Sequence, residues 1–193
     1  MIQDIITNMK GPYRYSKELN TVYIDIDIDF YREIYNEWDF SPVTNIDLDD
    51  DLIEYLEDCA SEIGKKHRIC IIFHIPPSIR DDLAEKKSIG GFYNYFNYRI
   101  KRRMLKLKAI NRQSFLYFVS GVSFLLLATA VSKKLPEVIF TEFIIEGMLI
   151  GGWVLLWEMF CNIFFRSQEF KNKIMIYKRL RDATIDYSTD KRS

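Results

Sequence analysis

Glu142, Glu146, Glu158 and Asn162 are polar side chains set inside one long apolar stretch, Val138 to Phe165. A carboxylate at mid-bilayer costs about 2.5–3.5 kcal/mol on insertion scales, so such a group faces protein or water rather than lipid. Glu142 and Glu146 lie one helical turn apart near the start of the stretch. With a crossing from Gly147 to Phe165, both stand at or outside the interface. Glu158 is seven residues from the other end, about 10 Å deep at 1.5 Å of rise per residue. On a helix it shares a face with Gly147, Gly151 and Asn162, opposite Leu149, Leu156 and Phe160. Gly147-x-x-x-Gly151 lets two backbones approach closely. Gly147, Gly151, Glu158, Asn162 and the neighbouring Glu146 are therefore the candidate helix-packing or ion-path residues. As a packing stripe they would meet Ser120, Gly121 and Ser123 of a preceding helix, or a second copy of the chain in a homo-oligomer. As a path they would carry ions or protons.

A second group with possible chemistry is the ladder Asp25, Asp27 and Asp29. Three carboxylates on one strand face can bind Mg²⁺ or Ca²⁺. A hydrophobic strand ending in Asp-x-Asp is also similar to that of phosphotransferases with an aspartyl nucleophile. Those enzymes need a companion Lys and Ser/Thr at nearby strand ends. The plainer expectation is a solvated strand face. His67 and His74 are the only histidines, and His74 stands beside prolines at a strand end; both are expected to be structural. Cys59, Cys70 and Cys161 are far apart and without Cys-x-x-Cys spacing, which suggests neither a disulfide framework nor a zinc site and fits a reducing compartment. No Ser/His/Cys constellation, glycine-rich phosphate loop or metal spacing occurs. The sequence assigns no catalytic, metal or cofactor residue.

The elements that must position these groups follow from periodicity. Thr21 to Asp29 alternates strictly, with Val22, Ile24, Ile26 and Ile28 on one face and Tyr23, Asp25, Asp27 and Asp29 on the other. This predicts a strand that is buried on the isoleucine side and wet on the aspartate side. Phe30 to Trp38 is predicted as a short helix broken at Ser41-Pro42. Asp47, Asp49 and Asp50 precede an amphipathic helix carrying Leu52, Ile53, Leu56, Cys59, Ala60 and Ile63, with acid at its positive end. Arg68 to Ile75 is a continuous apolar run of strand length and predicts a more central strand. Pro77 to Lys87 predicts another short helix, and Ala183 to Ser188 an edge strand. Strand, helices, strand, helix implies two parallel strands joined by a right-handed crossover. The fold class is thus a small α/β soluble domain of two to three strands plus helices, fused to a transmembrane helical hairpin.

The hairpin rests on two runs, uncharged Ser114 to Ser132 and Val138 to Phe165. About 20 apolar residues cross a bilayer core as a helix. The expected layout is a loose arm at 1–20, an acidic cytoplasmic α/β domain at 21–88 and a basic, aromatic interfacial helix at 89–112. Transmembrane helices follow at 113–132 and 138–165, joined by an external turn at 133–137, and a basic cytoplasmic tail occupies 166–193. No signal peptide is expected, because Met1 to Lys10 lacks a basic region followed by an apolar one. Charge is split. Residues 1–98 carry 19 Asp/Glu against 10 Lys/Arg, and residues 99–193 carry 8 against 17. An acidic head is not the footprint of a nucleic-acid binder. Seven basic residues from Arg99 to Arg112 precede the first run and six from Arg166 to Arg181 follow the second, against Lys133 and Lys134 between them. That asymmetry predicts an inner-membrane, multi-pass protein with both termini cytoplasmic.

Three stretches carry a likeness. Asp39-Phe40-Ser41-Pro42-Val43 with Ile46-Asp47-Leu48-Asp49 is similar to an Asp-Pro-Ser-Pro-Phe and Arg-Asp-Leu-Asp patch. Tyr95-Phe96-Asn97-Tyr98-Arg99 is similar to Tyr/His-Phe-x-Tyr-Arg. Glu146-Gly147 through Gly152-Trp153-Val154-Leu155-Leu156-Trp157 is similar to Glu-Gly…Gly-Trp-Val-Ala-Leu-Trp. On these the chain, over roughly Ile28 to Leu180, resembles a family of uncharacterised prokaryotic two-helix integral membrane proteins with an acidic soluble head. That family often follows its last Trp with Arg-Pro and soon after Glu; here Glu158-Met159 and Cys161 stand in those places. The resemblance implies architecture and no activity. The expected function is a membrane-anchored, non-enzymatic interaction or sensing module whose partners are the lipid bilayer, an unidentified protein and a second copy, with no nucleic acid and no cofactor. The alternatives are a small oligomeric ion or proton channel using the glutamate-bearing second helix, and an enzyme built on the aspartate ladder.

Overall fold

Alternation in Thr21–Asp27 and the unbroken apolar run Arg68–His74 produce the two strands at the centre of the sheet. The computed structural model describes residues 13–39, 47–134 and 139–189. Its strands are β1 (Arg14–Ser16), β2 (Thr21–Asp27), β3 (Arg68–His74) and β4 (Thr184–Ser188), in the spatial order β1-β2-β3-β4. β1 runs antiparallel to β2, whereas β2, β3 and β4 are mutually parallel. In register, Val22 lies opposite Ile69, Ile24 opposite Ile71 and Ile26 opposite Phe73; Phe73 in turn lies opposite Tyr187. Paired residues point to the same side of a sheet, so one face is a continuous apolar surface.

That face is completed by three helices. α1 (Asp50–Glu62) is capped by the Asp49 carboxylate, which accepts from the Leu52 amide at 3.0 Å, and it buries Ile53, Leu56, Cys59 and Ala60. From α2 (Asp82–Ser132) come Phe92 and Phe96, and from α4 (Ser167–Arg181) come Tyr177 and Leu180. Ring contacts join Phe92 to Phe73, Phe73 to Tyr187 and Phe96 to Tyr177, with centroids 5.4–6.0 Å apart. Such pairs add about 0.5–1.5 kcal/mol each beyond burial.

Several expectations change. The arm at 1–20 contains β1, joined to β2 by a turn in which Asn20 takes a φ of 48°, a left-handed conformation that asparagine tolerates. Three residues are too few for periodicity to reveal, and Met1 to Pro12 lie outside the described residues. The helix expected over Phe30–Trp38 is a single 3₁₀ turn, Tyr31–Ile34, and Trp38 is 90% exposed. The Ser41-Pro42 break and the Leu135–Glu137 part of the expected turn lie outside the described residues. The short helix expected from Pro77 is a 3₁₀ turn, Pro77–Ile79, followed by α2, and α2 runs without interruption through positions 88–89 and 112–113. No proline falls between Asp82 and Ser132 to stop it. α3 (Ile139–Cys161) passes into a π-helical turn, Asn162–Arg166, and then α4, so most of the expected tail is helix, with β4 at its end.

The chain divides into two compact units, residues 1–101 with 174–193, and residues 102–173. The sheet and its helices form the first. In the second, α2 and α3 approach most closely at Gly121 and Leu125 on α2 and Gly152 and Leu156 on α3; Ser114 and Ala128 on α2 and Asn162 just beyond α3 are buried as well. Both helices are long and apolar enough to cross a membrane, and their most apolar windows are only 17% and 6% buried.

Candidate functional site

The carboxyl ends of β2 and β3 point at a common opening. After β2 the chain turns through Tyr31–Ile34; after β3 it passes Pro76-Pro77 and enters α2. The Tyr31 hydroxyl ties the two together, accepting from the Asp81 amide at 3.0 Å and donating to Glu85 Oε1 at 3.4 Å. Arg80 Nε lies 3.3 Å from the same Glu85 carboxylate. The Asp81 carboxylate accepts from the Leu83 amide at 2.8 Å and so closes the start of α2. Between these pieces lies a cavity of about 700 Å³, lined by Tyr31, Arg32, Tyr35, Asp39, Leu83 and Lys87 among others. Small-molecule sites fall at this size, about 300–1,000 Å³, and open α/β sheets bind ligands outside the carboxyl ends of their strands.

The lining combines Tyr31 and Tyr35 with both signs of charge, Arg32 and Lys87 together with Glu37, Asp39 and Asp81. Burial pushes the Tyr31 hydroxyl above its ordinary range and the Tyr35 hydroxyl up to about 12. Both are therefore neutral hydrogen-bonding groups at neutral pH. None of these residues was singled out by sequence spacing. The available signal was indirect: two apolar runs that pair in parallel must open their carboxyl ends on the same side.

No family model, curated protein or solved structure matches the chain.

The aspartate ladder is not uniformly wet. The Asp25 side chain is only 5% exposed and pairs with Arg14, whose Nε donates to Asp25 Oδ2 at 2.8 Å, and with His74, whose Nε2 lies 2.9 Å from Asp25 Oδ1. Arg14 stands opposite Tyr23 and His74 opposite Asp27 in the sheet, so both reach Asp25 diagonally. Asp27 and Asp29 are exposed, as expected. The burial comes from β1, whose arginine covers a position that alternation alone assigns to solvent. Among the described residues, no group of three His, Cys, Asp or Glu side chains could hold a metal ion. His67 bonds Asn20 Oδ1 through Nδ1 at 2.7 Å.

The small-residue stripe on the second apolar helix is partly displaced. A Cβ placed on Gly152 would lie 2.7 Å from Leu125 Cδ2 and 3.2 Å from the Gly121 carbonyl oxygen, and one on Gly121 would lie 3.0 Å from the Gly152 carbonyl oxygen. The close approach of α2 and α3 therefore uses Gly121 and Gly152. A Cβ on Gly151 would meet Phe124 at an ordinary 3.7 Å, and one on Gly147 would meet nothing within 4 Å. Glu146 is exposed and Glu158 half-buried. Asn162 is 1% exposed; its Oδ1 accepts from Arg166 Nη1 at 2.8 Å, while its Nδ2 has no partner among the described residues. Of the five candidates Asn162 is the buried one, whereas Gly147 and Glu146 are exposed.

Proposed function

We propose that the chain is a membrane-anchored, non-enzymatic sensing or interaction module, with an α/β head on the cytoplasmic face of the inner membrane and α2 and α3 as a two-helix anchor. The observation that carries this reading is the low burial of the apolar windows, 17% and 6%. A core helix of a soluble protein hides such a surface, whereas Phe115, Leu126, Trp153 and Trp157 stand more than half exposed here. Water around so large an apolar area is unfavourable by about 25 cal/mol per Å². The basic residues flanking both helices support cytoplasmic termini. The Gly-Trp stretch that resembles the two-helix prokaryotic family falls on α3, which agrees with an anchor. The cavity at the carboxyl ends of β2 and β3 offers such a head a place for a small molecule, and the capture of Asp25 by Arg14 and His74 favours a structural ladder over a catalytic one.

Reporter fusions test the topology. A reporter active only in the cytoplasm, fused after Ser193, is expected to be active, and one active only outside is expected to work in the Leu135–Glu137 turn. An exported C-terminus, or release of the chain by an alkaline carbonate wash, overturns the reading.

A further inference from the structure

The head holds a basic cleft that its own composition does not lead one to expect. Residues 1–98 carry 19 Asp/Glu against 10 Lys/Arg. Yet a cleft of about 450 Å³ at the amino ends of β3 and β4 is lined by Lys65, His67, Arg68, Lys178 and Arg179, with Asp182 the one acid described there. The topology assembles it from two segments far apart in the chain, the loop after α1 and the end of α4. Asp182 is already engaged, with Arg181 Nε and Nη2 at 2.8 and 2.9 Å, a pairing that lowers its pKa.

Arg179 is the built part. Its guanidinium donates to the carbonyl oxygens of Ala60, Ile63 (2.9 Å), Gly64 (3.2 Å) and His67 (3.4 Å). This moulds the loop around one cation and places it at the negative end of α1, where positive charge is favoured. On the rim, Lys65, Arg68 and Lys178 are exposed and form no ion pair among the described residues. Membrane orientation does not account for Lys65 and Arg68, which lie far upstream of the first apolar run. Like charges gathered around one hollow repel one another, and an anion relieves that repulsion.

We propose that this cleft binds a phosphate group. The donors of Lys65, Arg68 and Lys178, which line one hollow, suit the charge and the several acceptor oxygens of a phosphate ester. Two sources share that chemistry, a soluble phosphorylated molecule and a phospholipid headgroup.

The experiment uses the full chain in nanodiscs and follows acetylation of individual lysines by an amine-reactive reagent, read by mass spectrometry. Exposed Lys17, outside the cleft, is the internal control. In phosphatidylcholine discs, added inorganic pyrophosphate is expected to slow acetylation of Lys65 and Lys178 about tenfold and leave Lys17 unchanged, since a hydrogen bond to a charged group is worth roughly that factor. Protection only in discs that contain phosphatidic acid assigns the phosphate to a headgroup and equally supports the site. Arg68→Gln, at an exposed position, is expected to abolish most of the protection while leaving thermal unfolding unchanged. Protection in neither arm overturns the proposal. So does equal slowing by sodium chloride at matched ionic strength, or full protection in Arg68→Gln.

Discussion

Asp25 and Asp27 are chemically identical and two residues apart, and they sit in opposite environments. The Asp27 carboxylate is exposed, so Asp27→Asn should change stability by less than about 0.5 kcal/mol. Asp25→Asn leaves Arg14 and His74 without their anion and should cost about 1.5–3 kcal/mol, the range for hydrogen bonds to charged groups. Denaturant unfolding of the full chain in detergent checks both, and equal effects would refute the distinction. The period-two pattern was readable at once, because alternation is a property of one strand. The capture of Asp25 was not, because Arg14 and His74 come from the two neighbouring strands. Proton release adds a second test. Burial, helped by Asp186, pushes the Cys70 thiol up to about 11, and burial pushes Tyr35 and Tyr95 up to about 12. These acids release protons more readily when unfolded. The stability they contribute is complete below their ordinary values, 9.0 for the thiol and 10.0 for the phenols, and is lost as pH rises through the folded values. Unfolding midpoints should therefore fall between about pH 9 and 12, and Cys70→Ala should remove the earliest part of that fall.

At the scale of elements, the second apolar run displays its small residues openly, but periodicity cannot fix the rotation of a helix about its axis. Gly147 and Gly151 form the familiar four-residue spacing, yet the closest approach falls one residue further on, at Gly152, against Gly121 and Leu125. Adjacent helical residues point about 100° apart, enough to turn a packing face into an outer one. Gly152→Leu should separate α2 from α3 and lower the thermal midpoint in detergent markedly, whereas Gly147→Leu should leave the pair intact. If Gly147 and Gly151 instead serve a contact with a second copy, Gly147→Leu should reduce cross-linked dimer without changing that midpoint. The π-helical turn at Asn162–Arg166 had no sequence signal, since nothing in Asn-Ile-Phe-Phe-Arg marks an extra residue in a helical turn. It matters for phase, because an extra residue in one turn rotates the helical faces that follow it by about 100°.

Taken whole, the sheet-bearing unit joins β1 to β3 with the end of α4 and β4, and the apolar helices lie between those segments in sequence. The hydrophobic runs were legible because length and composition alone report them, and the parallel pairing of β2 with β3 followed from a crossover long enough to carry α1. The contribution of β4 was visible only as an expected edge strand; its exact neighbour required the fold. Cys70 pairs with Thr184 and Phe73 with Tyr187, and the Ile75 amide donates to the Ser188 carbonyl oxygen at 2.9 Å. Ending the chain at Asp182 should therefore leave α2 and α3 membrane-associated while the head becomes protease-sensitive, which limited proteolysis of vesicles would show. The order of synthesis gives this arrangement a further meaning. A ribosome makes β1 to β3 before both apolar helices, and makes the strand that covers the open side of β3 after them. Until β4 is made the nascent head presents an unpaired β3 edge of the kind that seeds aggregation, so the sheet cannot close before synthesis has passed through both apolar helices.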